Sequence, residues 1–286
     1  MMESIQLAAH AKINWSLDVK GKVESGEHQG YHLVEMVMQS IDLADSIYLQ
    51  KSREDEIICS GALPQDSSNL ALRAWLLLKD RLGLQQSLRI EIIKKIPVAA
   101  GLAGGSSDAA AVLKGVNTLL DLQFTEKQLA ELALSLGADV PFCLYGRPAI
   151  ARGIGEELTH LPDLPQQHLV LVNPGFDVPT ATVYRSFVMD KEQNHPHTQR
   201  LVLALQRGNT REIPKYMVNV LESVTLLQYP QVQQIKDDLT ACGLFAMMSG
   251  SGPSVFGLAK DEAHAKEAVD QLKSKWPVVL AVRTIN

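Results

Sequence analysis

From Ile5 to Val19 apolar residues fall on every second position, with Ile13, Trp15, Leu17 and Val19 on one side and Lys12, Asn14, Ser16 and Asp18 on the other. A period of two is the signature of a strand, and the polar side of this one sets a lysine and an asparagine next to each other. A second strand-like run, Val34 to Met38, follows a loop that ends in Gly30-Tyr31-His32. Asn69 then precedes Leu70, Ala74, Leu77, Leu78 and Arg81, with Gly83 behind them; cap, apolar stripe and stop predict a helix. Leu88, Ile90 and Ile92 predict another strand, closed by Pro97. After a Gly/Ala loop, Ser106, Ser107 and Asp108 open a helix whose Ala109, Val112, Val116, Leu119 and Leu120 share one stripe. Thr125 and Gln128 form a capping-box pattern ahead of Leu129, Leu132, Ala133 and Leu136, and Gly137 predicts the stop. Asp139 is therefore expected in a turn just past a helix end.

A strand is predicted over His168 to Val172, and the polar stretch from Asp190 to Gln199 is expected to be a mobile connection. The last third reads helix, strand, glycine loop, strand, helix, strand. Its loop, Ser249 to Ser254, lies between Phe245-Ala246-Met247-Met248 and Val255-Phe256-Gly257-Leu258; a helix over Asp261 to Ser274 and a strand through Val278, Leu280 and Val282 follow. Short strands mixed with helices, without regular alternation, favour an α+β class over a doubly wound sheet.

The chain has 286 residues, a length that favours two packed domains. Lys and Arg number 27 against 32 Asp and Glu, a formal charge of -5. That balance excludes a broad electrostatic grip on nucleic acid or on an anionic membrane, so any phosphate must be held locally. Cys59, Cys143 and Cys242 form no C-x-x-C pair, which excludes a disulfide framework or a zinc site and fits a reducing cytoplasm. Neither a secretory n-region nor an apolar run of membrane-spanning length is expected.

The segment with the most chemistry is Pro97-Val98-Ala99-Ala100-Gly101-Leu102-Ala103-Gly104-Gly105-Ser106-Ser107. A strand enters a loop of small residues, and the loop feeds a helix N-terminus whose unpaired N–H groups and dipole favour an anion. Glycines let a phosphate approach the backbone, and the serines can add hydroxyl groups. The spacing is neither a Walker A loop nor a dinucleotide fingerprint.

This loop resembles the nucleotide-binding motif of the galactokinase, homoserine kinase, mevalonate kinase and phosphomevalonate kinase (GHMP) superfamily. Ala11-Lys12-Ile13-Asn14 and Met248-Ser249-Gly250-Ser251-Gly252-Pro253-Ser254 match two more of its motifs. With Gly30-Tyr31-His32 and Gly137-Ala138-Asp139-Val140-Pro141-Phe142, the chain is similar from end to end to the superfamily branch that phosphorylates cytidine-diphosphate-linked methylerythritol in non-mevalonate isoprenoid synthesis. The resemblance implies an N-terminal ATP-binding α+β domain of a ribosomal-protein type over residues 1–160 and a ferredoxin-like domain over 161–286. It implies transfer of the ATP γ-phosphoryl group to a hydroxyl of the methylerythritol unit. Lys12 and Asp139 would be the catalytic pair, residues 97–107 would bind ATP, and Asn14, Tyr31, His32, Thr180 and Tyr184 would bind the acceptor. A carboxylate at the acceptor hydroxyl and a cation beside it are chemically sufficient for this transfer.

Where the family has a short turn with Arg and Asp before Gly-Tyr-His, this chain has the longer Gly21 to Gly30, which bears on how firmly Tyr31 and His32 are held. Trp15, at a position often leucine, is expected to fill core space, and Lys94 and Lys95 either border the nucleotide or face solvent. His195 and His197 are expected at the surface, no metal constellation is written in the sequence, and Mg²⁺ is expected to arrive with ATP. The partners implied are small molecules, without nucleic acid or membrane, in a cytoplasmic monomer or weak homodimer. Two alternatives stay open: a sister kinase acting on mevalonate, homoserine or a sugar, and a nucleotide-binding paralogue without catalysis.

Overall fold

The structure, a computed structural model, describes residues 2–26, 28–61, 63–190 and 194–286; residues 191–193 of the expected mobile connection lie outside the described residues. The chain divides into two compact units. The first comprises Met1–Ala11, Leu43–Val98 and Ala103–Gly146, and the second Lys12–Asp42, Ala99–Leu102 and Arg147–Asn286. Strands β1 (Ser4–Lys22) and β2 (His32–Ser52) pair with each other and contribute residues to both.

The first unit continues with β3 (Glu56–Cys59), α1 (Leu70–Leu82), β4 (Ser87–Ile93), α2 (Gly104–Leu119), α3 (Glu126–Leu134) and α4 (Val140–Tyr145). β4 runs antiparallel to the second half of β2, with Ser46 opposite Ile93, and β3 runs parallel to β4. Ile47, Leu49, Ile90 and Ile92 of this sheet meet Trp75 and Leu78 of α1 and Val112, Leu113 and Val116 of α2, all wholly buried. Each such side chain contributes about 1.5–3 kcal/mol of burial free energy. Gly115 lets α2 lie close on the sheet, since a Cβ there would stand 2.5 Å from Leu49 Cδ1.

The local signals for these helices hold. Asn69 Oδ1 accepts from the Ala71 N–H at 2.9 Å, and Gly83 closes α1 in the left-handed region at φ 61°. Thr125 and Gln128 make the reciprocal capping box. α3 stops at Leu134, earlier than Gly137, whose N–H bonds the Leu134 carbonyl in the following turn. α2 begins at Gly104 rather than at the serines, so both glycines of the phosphate-loop pattern lie in its first turn.

The second unit continues with β5 (Ala149–Arg152), β6 (Glu157–His160), β7 (His168–Asn173), α5 (Thr180–Ser186), α6 (Thr198–Gln206), α7 (Glu222–Gln228), α8 (Pro230–Ala241), β8 (Phe245–Met248), β9 (Val255–Leu258), α9 (Glu262–Leu272) and β10 (Val278–Arg283). β5 pairs with the first half of β2, Met36 opposite Ala151, and β6 pairs with β5. The other sheet is antiparallel in the order β10-β7-β9-β8, with α8 and α9 packed on it, the layout of a ferredoxin-like βαββαβ unit. Trp15 fills core space as expected, its ring edge-on to Phe256 at 5.6 Å and its N–H donated to Gln39 Oε1.

The alternation along β1 is real, but its polar side is not wet. Lys12, Asn14, Ser16 and Asp18 are all buried. His195 keeps a partly exposed side chain, with Nδ1 2.7 Å from Asp18 Oδ1, while Lys20 donates to the other oxygen of that buried carboxylate. His197 is exposed. Among the described residues no helix is long and apolar enough to cross a membrane.

Candidate active site

Lys12 is 4% exposed, and its ammonium donates to Asn14 Oδ1 at 2.8 Å and to the Gly101 carbonyl at 3.1 Å. The strand period places Lys12 and Asn14 on one side of β1, so the asparagine can steer the lysine. The Lys12 N–H also bonds the Leu102 carbonyl at 3.1 Å. Residues 99–102 of the glycine loop are thereby tied to β1 within the second unit. Asn14 itself is fully buried, its amide N–H directed at Met36 Sδ.

The same loop carbonyl accepts from Ser249 Oγ at 3.0 Å. A Cβ at Gly101, where φ is 74°, would stand 2.1 Å from the Ser249 carbonyl oxygen, so only glycine fits. Asn219 holds the second glycine loop by donating to the Met248 and Gly250 carbonyls, and Thr225 Oγ1 donates to the Ser251 carbonyl. Sequence reasoning did not single out Asn219 or Thr225. A lone asparagine or threonine carries no periodic signal, and only the tertiary fold shows which carbonyls it serves.

In the first unit, α2 opens at Gly104 after Ala103, whose left-handed backbone provides no side-chain cap. The Ser107 N–H makes the first bond of the helix, to the Ala103 carbonyl, so the N–H groups of Gly104, Gly105 and Ser106 precede the helical ladder. Val98, Ala99 and Gly105 are exposed, Pro97, Gly101, Ala103, Gly104 and Ser106 are half-buried, and Ala100, Leu102 and Ser107 are buried. The Ser107 hydroxyl donates to the His10 carbonyl at 2.6 Å, which anchors the helix start to β1.

Lys94 belongs to a cluster that the sequence did not disclose. Its ammonium bridges the carboxylates of Asp45 and Asp108, the latter at 2.8 Å. Asp45 also accepts from the backbone N–H groups of Lys95 and Ile96. Burial alone would lower the Lys94 pKa, but the two carboxylates, Asp108 foremost, hold it above its ordinary value. Asp139 lies in the turn predicted for it, immediately before α4. Its carboxylate makes no capping bond there, and it is half-buried. Lys12 belongs to the second unit and Asp139 to the first.

The long loop before Tyr31 closes as a backbone hairpin: the Val23 N–H bonds the Tyr31 carbonyl at 2.8 Å and the Gly30 N–H bonds the Val23 carbonyl at 2.9 Å. Tyr31 is 57% exposed, its ring centroid 5.5 Å from that of His28. His32 packs against Tyr184 with ring centroids 5.2 Å apart, and its buried Nε2 has no hydrogen-bond partner among the described residues. Burial first and the Lys22 charge second hold its pKa below the usual histidine value. Thr180 and Tyr184 lie four apart on α5, a spacing that shares one helix face, and Thr180 Oγ1 is 2.9 Å from Ser251 Oγ.

Comparison with known proteins bears directly on these motifs. The N-terminal domain of the GHMP kinases matches residues 69–147, and the C-terminal domain of the GHMP kinases matches residues 201–278. A 4-diphosphocytidyl-2-C-methyl-D-erythritol kinase of Clostridium botulinum is 45% identical over 97% of this chain and 99% of its own. One of Caldicellulosiruptor bescii is 43% identical over 94% of each. A crystal structure of 4-(cytidine 5'-diphospho)-2C-methyl-D-erythritol kinase superposes with a TM-score of 0.84 at 34% identity, covering 99% of this chain and all of that one. A homoserine kinase of Cytophaga hutchinsonii, 21% identical with a TM-score of 0.74 over 100% of this chain and 95% of that one, shares the fold. With its loops, its buried Lys12 and its end-to-end similarity, this chain belongs to the 4-diphosphocytidyl-2-C-methyl-D-erythritol kinase family of the GHMP kinases.

Proposed function

We propose that this chain phosphorylates the 2-hydroxyl of 4-diphosphocytidyl-2-C-methyl-D-erythritol with ATP, giving ADP and the 2-phosphate, in the non-mevalonate route to isopentenyl diphosphate. Family membership supports the reaction. The observation that carries the residue-level reading is the buried Lys12 ammonium bonded to the Gly101 carbonyl, which ties a catalytic cation to the glycine loop.

Asp139 accepts or orients the proton of the attacking hydroxyl, and Lys12 stabilises the developing alkoxide; phosphoryl transfer needs such positioning and charge compensation more than covalent help. Residues Pro97 to Ser107 cradle the ATP phosphates, with N–H groups of the α2 start as donors. Asn14 holds Lys12 and faces the methylerythritol. Tyr31 stacks on the cytosine, His32 reads its pairing edge, and Thr180 and Tyr184 line the other side. Mg²⁺ supplies charge neutralisation on the phosphates. Mg²⁺ would enter with ATP, held on the nucleotide's own oxygens.

The ATP-binding domain is assigned to residues 1–160 and the C-terminal domain to 161–286, in a cytoplasmic protein that is monomeric or weakly dimeric. Its partners are these small molecules, with no nucleic acid or membrane among them. The test is ADP release against a panel of acceptors. Turnover with the cytidine-linked alcohol and none with mevalonate or homoserine is expected; equal turnover with an acceptor lacking a pyrimidine overturns the reading.

A further inference from the structure

Asp45, Lys94 and Asp108 place two carboxylates on one ammonium, at the end of the first unit that carries the α2 start. Asp45 is satisfied twice over, by Lys94 and by the N–H groups of Lys95 and Ile96. Asp108 is not. Oδ2 accepts from Lys94 at 2.8 Å, whereas Oδ1 is buried with no hydrogen-bond partner among the described residues. The cluster lies directly beneath the helix start, since a Cβ on Gly104 would be 3.3 Å from Lys94 Nζ.

With both carboxylates ionised the trio carries one net negative charge; with Asp108 protonated it is neutral. We propose that Asp108 is the proton-linked residue of the nucleotide site, taking up a proton when the triphosphate binds and so removing a negative charge from beneath the phosphates. This rests on the reading of residues 97–107 as the ATP loop. A proton on Asp108 also neutralises a carboxyl whose charged form burial disfavours. Burial, more than the opposing pull of Lys94, raises the Asp108 pKa to about 7, with the Asp45 charge adding to the rise, so the group is poised to exchange its proton near neutrality.

β2 brings Asp45, the end of β4 brings Lys94, and β3 brings the Cys59 thiol, which burial and then the Asp108 charge push up. α1 presents its Asn69 cap, bonded to Cys59 Sγ, and Leu70, which touches the place of a Gly105 Cβ; neither titrates. β1 brings His10, whose carbonyl holds Ser107, and α4, packed on α2, carries Cys143 and Tyr145. A variant of Asp108 alone separates its contribution from that of the neighbouring His10.

The sign follows from linkage. A bound anion favours protonated Asp108, so affinity for MgATP is highest below the free-state pKa and falls as pH rises through it. Each pKa unit by which the bound phosphates lift Asp108 is worth tenfold between the two plateaus, and about three- to tenfold is expected for charges this close.

The experiment is calorimetric titration of MgATP into the full chain, without acceptor, in buffers of different ionisation enthalpy at about pH 6 and pH 8. Wild type should take up a fraction of a proton at pH 8 and almost none at pH 6, with a weaker Kd at pH 8. Asp108→Asn should take up none and should bind MgATP more tightly than wild type at pH 8, a gain that a merely structural role would not produce. Should Asp108→Asn fail to fold, Asp108→Ser and the wild-type proton count decide. MgATP binding at pH 8 without proton uptake overturns the inference, as does uptake that persists in the variant. No MgATP binding at all overturns the loop reading, and the linkage with it.

Discussion

Lys12 has three N–H donors and two acceptors in the structure, Asn14 Oδ1 and the Gly101 carbonyl, which leaves one donor for a substrate oxygen. Asp139 has a carboxylate that makes no capping bond to α4. If the two act on one hydroxyl, Asp139→Asn keeps the shape and loses the base. Its kcat should fall about 10²–10⁴-fold with little change in ATP affinity. Lys12→Met should act similarly, and the double variant should lose less than the sum because the pair works as a unit. Near wild-type steady-state turnover in Asp139→Asn would remove it from the chemistry. His32 makes a second residue-scale case. Burial and then the Lys22 charge hold its pKa below the usual histidine value, and its buried Nε2 has no hydrogen-bond partner among the described residues, so the ring gains from a fixed partner on a base edge. Cytosine and uracil reverse donor and acceptor on that edge, so uridine in place of cytidine should cost about 1–3 kcal/mol in kcat/KM for each neutral group left unpaired. His32→Ala should narrow the cytidine-to-uridine ratio, while Tyr31→Ala should weaken both substrates alike by roughly 1–3 kcal/mol. A ratio unchanged in His32→Ala would take the histidine off the base.

Among the elements, the loop between β4 and α2 is the most constrained. Gly101 sits at φ 74° with the Ser249 carbonyl where its Cβ would be, and its own carbonyl serves both Lys12 and Ser249. Gly101→Ala adds left-handed strain, about 1–2 kcal/mol, to an overlap that only backbone movement relieves. Both stability and MgATP affinity should drop, read by thermal melting and calorimetry. Thr125→Ala is the contrasting element-scale change. It deletes one half of the α3 capping box and should cost about 1 kcal/mol of stability while leaving KM and kcat unchanged. Equal kinetic damage from both would mean that the glycine loop has no special role. Of these two features the capping box was legible in sequence, because the bonds run between neighbours. The contact between Gly101 and Ser249 was not, because the residues are 148 apart in the chain.

Taken whole, the molecule is an acidic protein expected to bind anionic substrates. A charge of -5 repels ATP at long range, so attraction has to come from local donors such as the α2 start. Screening the long-range field should therefore leave kcat/KM flat or raise it slightly as ionic strength increases from about 0.02 to 0.15 M. A steep fall in stopped-flow or steady-state rates over that range would point to a positive steering surface.

Most of the architecture was written in local pattern. Helix caps at Asn69 and Thr125, the period-two strands and the α+β class depend on residues a few positions apart, where propensity and hydrogen-bond chemistry act directly. Local pattern also separated the two sides of β1, yet it was silent on which side meets water. That depends on what the rest of the chain lays over the strand, and Lys12, Asn14, Ser16 and Asp18 proved buried. The sequence likewise left Lys94 between solvent and nucleotide. Only the tertiary structure decided its place between Asp45 and Asp108, because a charge is buried when distant residues supply its counter-charges, and their pairing is a property of the folded chain rather than of any segment.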